Sequence, residues 1–184
     1  MMKKILTTIL ILLLTIGCTK QQARKPVSYT QNKFMKESIE RNKKLIANEE
    51  TQINDIIKKD SLHEYFSSTR GYWYKYENKV DSTLATPIRG DIAYFDYEIK
   101  DLQNTIIYTK EELKPQEYYV DKEDIVIGLR NAIKLMRKGE TVTFLFPSHL
   151  VYGYRGDDKK IGANQPLIYT VTLHDIKPDL NAKK

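Results

Sequence analysis

The sequence predicts an α+β domain in which several antiparallel strands form a curved sheet wrapped on one central helix, with a long helix in front of it. Two patterns carry this expectation. Residues 31–59 contain no Gly or Pro and place Phe34, Met35, Ile39, Leu45, Ile46, Ile53, Ile56 and Ile57 at three- and four-residue steps, the period of one helical face. Beyond Gly71, apolar and polar residues alternate in several short runs, as half-buried strands require. Only one later segment returns to the helical period.

Taken in order, the chain opens with Met1-Met2-Lys3-Lys4 and the apolar run Ile5–Ile16, shorter than the roughly 20 residues of a spanning helix. This is the pattern of a signal peptide over residues 1–17. The single Cys follows Gly17, and Leu14-Thr15-Ile16-Gly17-Cys18 resembles a bacterial lipobox, with Thr15 where an aliphatic residue is usual. Lipid attachment at Cys18 is therefore expected, and it would consume the one thiol that an oxidising compartment would otherwise leave unpaired. Residues 18–30 are polar, contain Pro26, and read as a flexible tether. Residues 31–70 form a helical extension whose thin apolar stripe suits packing on the domain, pairing with a partner helix, or service as a stalk. Its Ile39, Ile46, Ile53 and Ile57 resemble a weak pairing seam, which predicts a homodimer through this helix.

The folded domain is expected over residues 71–178, with a tail at 179–184. Tyr72–Tyr76 reads as an aromatic strand, and 78–89, with Pro87, as a loop. Strands are expected at 92–99, 105–108 and 116–120. Leu129, Ala132, Ile133 and Met136 recur at helical spacing, with Gly139 placed to end that helix. Val142, Phe144 and Phe146 then alternate with polar or outward residues before Pro147, and Leu167, Tyr169, Val171 and Leu173 do so in a last strand.

Composition and motifs exclude several classes of function. The formal charge of +6 includes Lys3 and Lys4 of the signal, and the remaining Lys, Asp and Glu are interspersed, unlike the dense basic face of a nucleic-acid binder. His63, His149 and His174 stand far apart and outside metal-ligand spacing. No Ser lies in a nucleophile-elbow context and no Gly-rich loop has a phosphate-cradling pattern. Arg155-Gly156-Asp157 spells an adhesion tripeptide, a match short enough to arise by chance. A concentration of Tyr and aliphatic residues remains, which core packing alone would also explain.

Three stretches go further. Ile125-Val126-Ile127-Gly128-Leu129 through Met136-Arg137-Lys138-Gly139, then Phe146-Pro147-Ser148-His149-Leu150-Val151-Tyr152-Gly153, and finally Leu167–Leu173 resemble, in order and spacing, motifs of the FKBP family of peptidyl-prolyl isomerases. Arg89-Gly90-Asp91 with Tyr97 resembles the family's opening, so the resemblance covers residues 89–176. A looser likeness extends to the FKBP-type lipoproteins associated with gliding motility in Bacteroidota, which share a signal, a helical lead and this domain.

The resemblance implies an isomerase without cofactor or metal. Tyr97, Ile125, Val126 and Tyr169 would line a proline pocket, the Val126 N–H and the Tyr152 hydroxyl would hold substrate carbonyls, and Ile161 would close the rim. Asp124 takes the position of an acidic residue whose backbone carbonyl faces the ligand. Four motifs depart from the family pattern: Leu129 replaces a floor Trp, Ile107-Tyr108 a Phe-Asp pair, Gln116 a second Phe, and Gly162-Ala163 a Pro-Pro. These imply a larger pocket that has lost a charged partner for its hydroxyls. The expected function is a lipid-anchored prolyl isomerase acting on proline-containing exported polypeptides. The alternative is a non-catalytic module that holds a proline-containing partner segment. The expected location is the cell envelope, on the outer membrane facing the periplasm, because Thr19 lacks the acidic character of an inner-membrane retention signal.

Overall fold

The computed structural model describes residues 28–81 and 83–179, so the signal, Cys18 and most of the tether lie outside the described residues. Helix α1, Ser28–Lys59, begins three residues before the helical pattern read from the sequence. The chain divides at Ile39/Glu40, and everything from Glu40 onward forms one compact unit. Among the described residues, no helix is long and apolar enough to cross a membrane.

Within the larger unit the strands are β1 (Phe66–Ser67), β2 (Trp73–Asn78), β3 (Asp91–Lys100), β4 (Ile106–Tyr108), β5 (Gln116–Tyr119), β6 (Thr141–Phe146) and β7 (Leu167–Pro178). They make one antiparallel sheet in the order β1-β2-β6-β7-β3-β4, with β5 also paired to β3. The sheet thus starts at Phe66, inside the segment that the sequence assigns to the helical extension. Alternation sets its two faces: Phe95, Phe144, Phe146, Tyr169, Val171 and Leu173 are buried toward helix α3, Ile127–Leu135. Leu129, Ala132 and Ile133 of that helix, and Met136 just after it, are at most 3% exposed and complete the main core. Gly128 makes this approach possible, because a Cβ there would lie 3.0 Å from the Leu150 carbonyl and the Phe146 ring. The helix ends at Leu135 with an extended Met136, and Gly139, at φ +88°, belongs instead to the turn that enters β6.

On the other face of the sheet, Ile53 of α1 is fully buried in a second cluster with Leu102, Leu145 and Ile168. Ile56, Ile57 and Trp73 pack around it. Of the three roles open to the stripe, packing on the domain is therefore filled by Ile53, Ile56 and Ile57 at its C-terminal end. Phe34, Met35 and Ile39 are exposed on the earlier turns.

Candidate functional site

Three tyrosines from different elements converge at one end of the sheet's inner face. Tyr97 points inward from β3 and stacks on Tyr169 of β7, with ring centroids 5.6 Å apart and planes within 16°. Phe146 meets Tyr169 edge-on at 5.4 Å. Tyr152 follows the 3₁₀ turn Ser148–Leu150. Burial raises the Tyr97 hydroxyl to about 12, with a further contribution from Tyr152. Burial also pushes Tyr169 well above its ordinary value, and Tyr152 and Tyr97 act in the same direction. Tyr152 is raised by burial against a smaller opposing effect of Tyr169. All three therefore stay protonated across the physiological range, as neutral donors. The buried Tyr169 hydroxyl makes no hydrogen bond of ordinary geometry, but it lies close enough to the Tyr152 hydroxyl for a hydrogen-bonding interaction that raises Tyr169 and lowers Tyr152.

The start of α3 supplies another donor. Val126 is the N-cap residue, its side chain caps nothing, and its carbonyl accepts from Arg130 N–H at 3.0 Å. Helices leave their first N–H groups unpaired, and among the described residues no acceptor takes the Val126 N–H. Ile125, Val126, Ile107, Tyr108 and Tyr152 are partly buried against the core, while Leu129 and Ile161 belong to it. The Asp124 side chain is fully exposed and bonded to Arg130, so only its backbone can serve a pocket.

Two departures from the family pattern acquire a structural meaning. Tyr108 donates its hydroxyl to Asp157, and Lys160 lies over its ring at 4.7 Å. Asp157 Oδ1 also accepts the N–H groups of Lys159 at 2.9 Å and Ile161 at 2.8 Å. Partial burial opposes ionisation of Asp157, but the Tyr108 hydroxyl and these N–H groups hold its carboxyl below the usual range. An aspartate from the loop after Tyr152 thus accepts the Tyr108 hydroxyl, and it acts on Tyr152 and Tyr169 only as a minor electrostatic influence that raises both. The same contact turns the acid of Arg155-Gly156-Asp157 inward. Gln116 does not rebuild an aromatic wall either; its amide donates to the Leu113 and Lys114 carbonyls at 2.6 and 3.0 Å.

A separate cavity of about 670 Å³ opens on the sheet's other face, lined by Ile56, Lys75, Glu98, Lys100 and Thr170 among others. Of the cations that line it, Lys75 pairs with Asp60 at 3.0 Å and Lys100 with Glu98 at 2.5 Å, and Lys59 stands at its edge.

Comparison with known proteins agrees with this reading of the domain. Residues 85–174 match the model of the FKBP-type peptidyl-prolyl cis-trans isomerase family. A probable FKBP-type peptidyl-prolyl cis-trans isomerase FkpA of Neisseria meningitidis serogroup B is 23% identical over 169 residues, covering 91% of this chain and 61% of that protein. The outer membrane protein MIP of Legionella longbeachae is 28% identical over 162 residues, covering 86% of this chain and 67% of that protein. Among solved structures, FkpA from Escherichia coli superposes with a TM-score of 0.59 at 17% identity, over 97% of this chain and 83% of that one. A peptidyl-prolyl cis-trans isomerase from Pseudomonas syringae gives 0.58 at 16% identity, over 73% and 95%. The fold is therefore that of the FKBP-type proteins, a long helix ahead of an antiparallel sheet closed by one helix. Residues 85–174 of this chain belong to the FKBP-type peptidyl-prolyl cis-trans isomerase family.

Proposed function

We propose that this protein is a prolyl isomerase of the cell envelope, held to the outer membrane by lipid on Cys18 and facing proline-containing exported polypeptides in the periplasm. The observation that carries the activity is the convergence of Tyr97, Tyr152 and Tyr169, with Val126, at the uncapped start of α3, packed against the same core. X-Pro rotation is slow because twisting breaks amide resonance. The twisted amide is less polar than the planar one, so an apolar, water-poor cradle favours it over the ground state. Proline would sit on the Tyr97 and Tyr169 rings above Leu129, with Val126 N–H and the Tyr152 hydroxyl donating to substrate carbonyls on either side. Rotation requires no proton transfer, which suits donors that remain neutral.

Leu129 in place of a wide aromatic floor leaves fewer contacts to the ring. One such contact is worth about 1 to 3 kcal/mol, or roughly ten- to two-hundred-fold in specificity, so turnover is expected to be measurable but reduced, with preference for a bulky apolar residue before the proline. A protease-coupled assay on X-Pro peptides tests this, and Leu129→Trp should raise kcat/KM where the larger ring fits without overpacking. A folded wild-type protein indistinguishable from the uncatalysed reaction would transfer the site to the second reading, a module that holds proline segments without turnover; the four departures favour that reading.

The envelope location rests on the signal pattern and the Gly17-Cys18 junction, and on a relative named as an outer membrane protein. Cys18→Ser should abolish fatty-acid labelling and release the protein from membranes; retained labelling ends the idea. A part in assembling gliding machinery rests on the looser likeness in domain order alone, and intact gliding in a deletion strain would remove it.

A further inference from the structure

One buried contact joins the helical extension to the loop that carries Tyr152. Glu49 of α1 and Ser148 are each 2% exposed. Glu49 Oε2 accepts the Ser148 backbone N–H at 2.8 Å, and Oε1 accepts the Ser148 hydroxyl at 2.7 Å. Among the described residues no Lys, Arg or His pairs with this carboxylate. A buried carboxylate is costly unless hydrogen-bonded, so the two Ser148 donors are what the site offers it.

Ser148 is in turn the hub of the turn that aims Tyr152. Its carbonyl accepts the N–H groups of Val151 at 3.1 Å and Gly153 at 2.8 Å, the residues on either side of Tyr152. The Gly153 carbonyl then accepts Asn164 N–H at 2.7 Å, closing the loop that brings in Asp157 and Ile161. Fixing Ser148 from both its backbone and its side chain therefore fixes the frame of the Tyr152 hydroxyl.

We propose that Glu49 is a positioning residue for Tyr152, which makes the second half of α1 part of the active site and not only a spacer. The inference rests on the isomerase reading for its kinetic consequences. Ile53, one turn further along, is fully buried against Leu102, Leu145 and Ile168, so α1 should stay docked when Glu49 is replaced.

The experiment uses the full mature chain well below its melting temperature. Glu49→Ala is expected to lower kcat about ten-fold with a smaller change in KM, since even a 1 Å misplacement can cost about a hundred-fold. Glu49→Gln should restore most of the loss, because an amide still accepts the Ser148 N–H. Once Tyr152→Phe has removed the hydroxyl being positioned, Glu49→Ala should cost less than about two-fold more, the non-additivity of residues that act as a unit. Hydrogen exchange supplies the independent readout: in Glu49→Ala the Val151 and Gly153 amides should exchange about ten-fold faster or more, while those of Ile53 and Ile56 hold. Wild-type kcat with unchanged exchange overturns the proposal, as does an equal loss with and without the Tyr152 hydroxyl, which would make Glu49 a plain anchor. If the wild-type chain itself shows no catalysis, the isomerase reading fails and exchange alone decides: faster exchange at Val151 and Gly153 supports the positioning role, and unchanged exchange overturns it.

Discussion

Tyr169→Phe is expected to yield a more stable and less active protein, and Tyr169→Ala to lose on both counts. Tyr169 is fully buried, between the stacked Tyr97 ring and the edge-on contact with Phe146, and its hydroxyl makes no hydrogen bond of ordinary geometry, only a looser interaction with the Tyr152 hydroxyl. An unsatisfied buried hydroxyl costs about 1 to 3 kcal/mol, and Phe removes that cost without altering the ring. Each kcal/mol regained should raise the melting temperature by about 2 to 8 °C. If the spare hydroxyl serves a bound carbonyl, the same change should lower kcat/KM about ten-fold, a stability gain at the expense of function. Tyr169→Ala empties the wall and should cost about 3 to 5 kcal/mol, a large part of a domain's usual margin. Thermal melts and the coupled assay measure both effects. A Phe variant that melts lower than wild type would mean that the hydroxyl is satisfied, and the argument from an orphan donor would go.

Gly156→Ala is the second large effect. Gly156 has φ +69°, and an added Cβ would stand 2.2 Å from the Ile161 carbonyl oxygen and 3.0 Å from the Gly162 carbonyl carbon. Those are backbone atoms, which cannot swing aside as a side-chain end can. The loop must open, breaking the Asp157 N–H to Ile161 carbonyl bond of 3.1 Å and the two N–H bonds into Asp157 Oδ1. Ile161 would leave the rim and Tyr108 would lose its acceptor. Displacement on that scale should lower kcat/KM on the order of a hundred-fold. Apart from Ile161 the loop buries little, so the melting temperature should fall by much less than for Tyr169→Ala. Near-normal turnover by this variant would show that the loop plays no part in the site.

The elements with a strong period were legible in the sequence. Strands β3, β6 and β7, helix α3 and most of α1 follow from apolar spacing alone, and the tyrosine cluster follows from the motifs that set Tyr97, Tyr152 and Tyr169. Shorter pieces were not. Two-residue β1 has no period to read. The short helix α2, Lys110–Leu113, has too few residues to show a period, and its only local signature is the capping box of Thr109 and Glu112. The contact between Glu49 and Ser148 spans 99 positions, and no local pattern announces a partner at that range. Nothing in one sequence says that Asp157, within Arg155-Gly156-Asp157, accepts the hydroxyl of Tyr108 49 positions away.

The place of β7 in the sheet bears on how such a chain is made. The last strand to emerge lies between β6 and β3 and pairs with both along most of their lengths, from Asp91 opposite Pro178 to Phe146 opposite Leu167. Until residues 167–178 are available, β3 and β6 have no common neighbour and the core has no centre. A chain made from its N-terminus would thus keep this sheet open until residues 167–178 had been added. Such late, long-range pairing makes for slow folding.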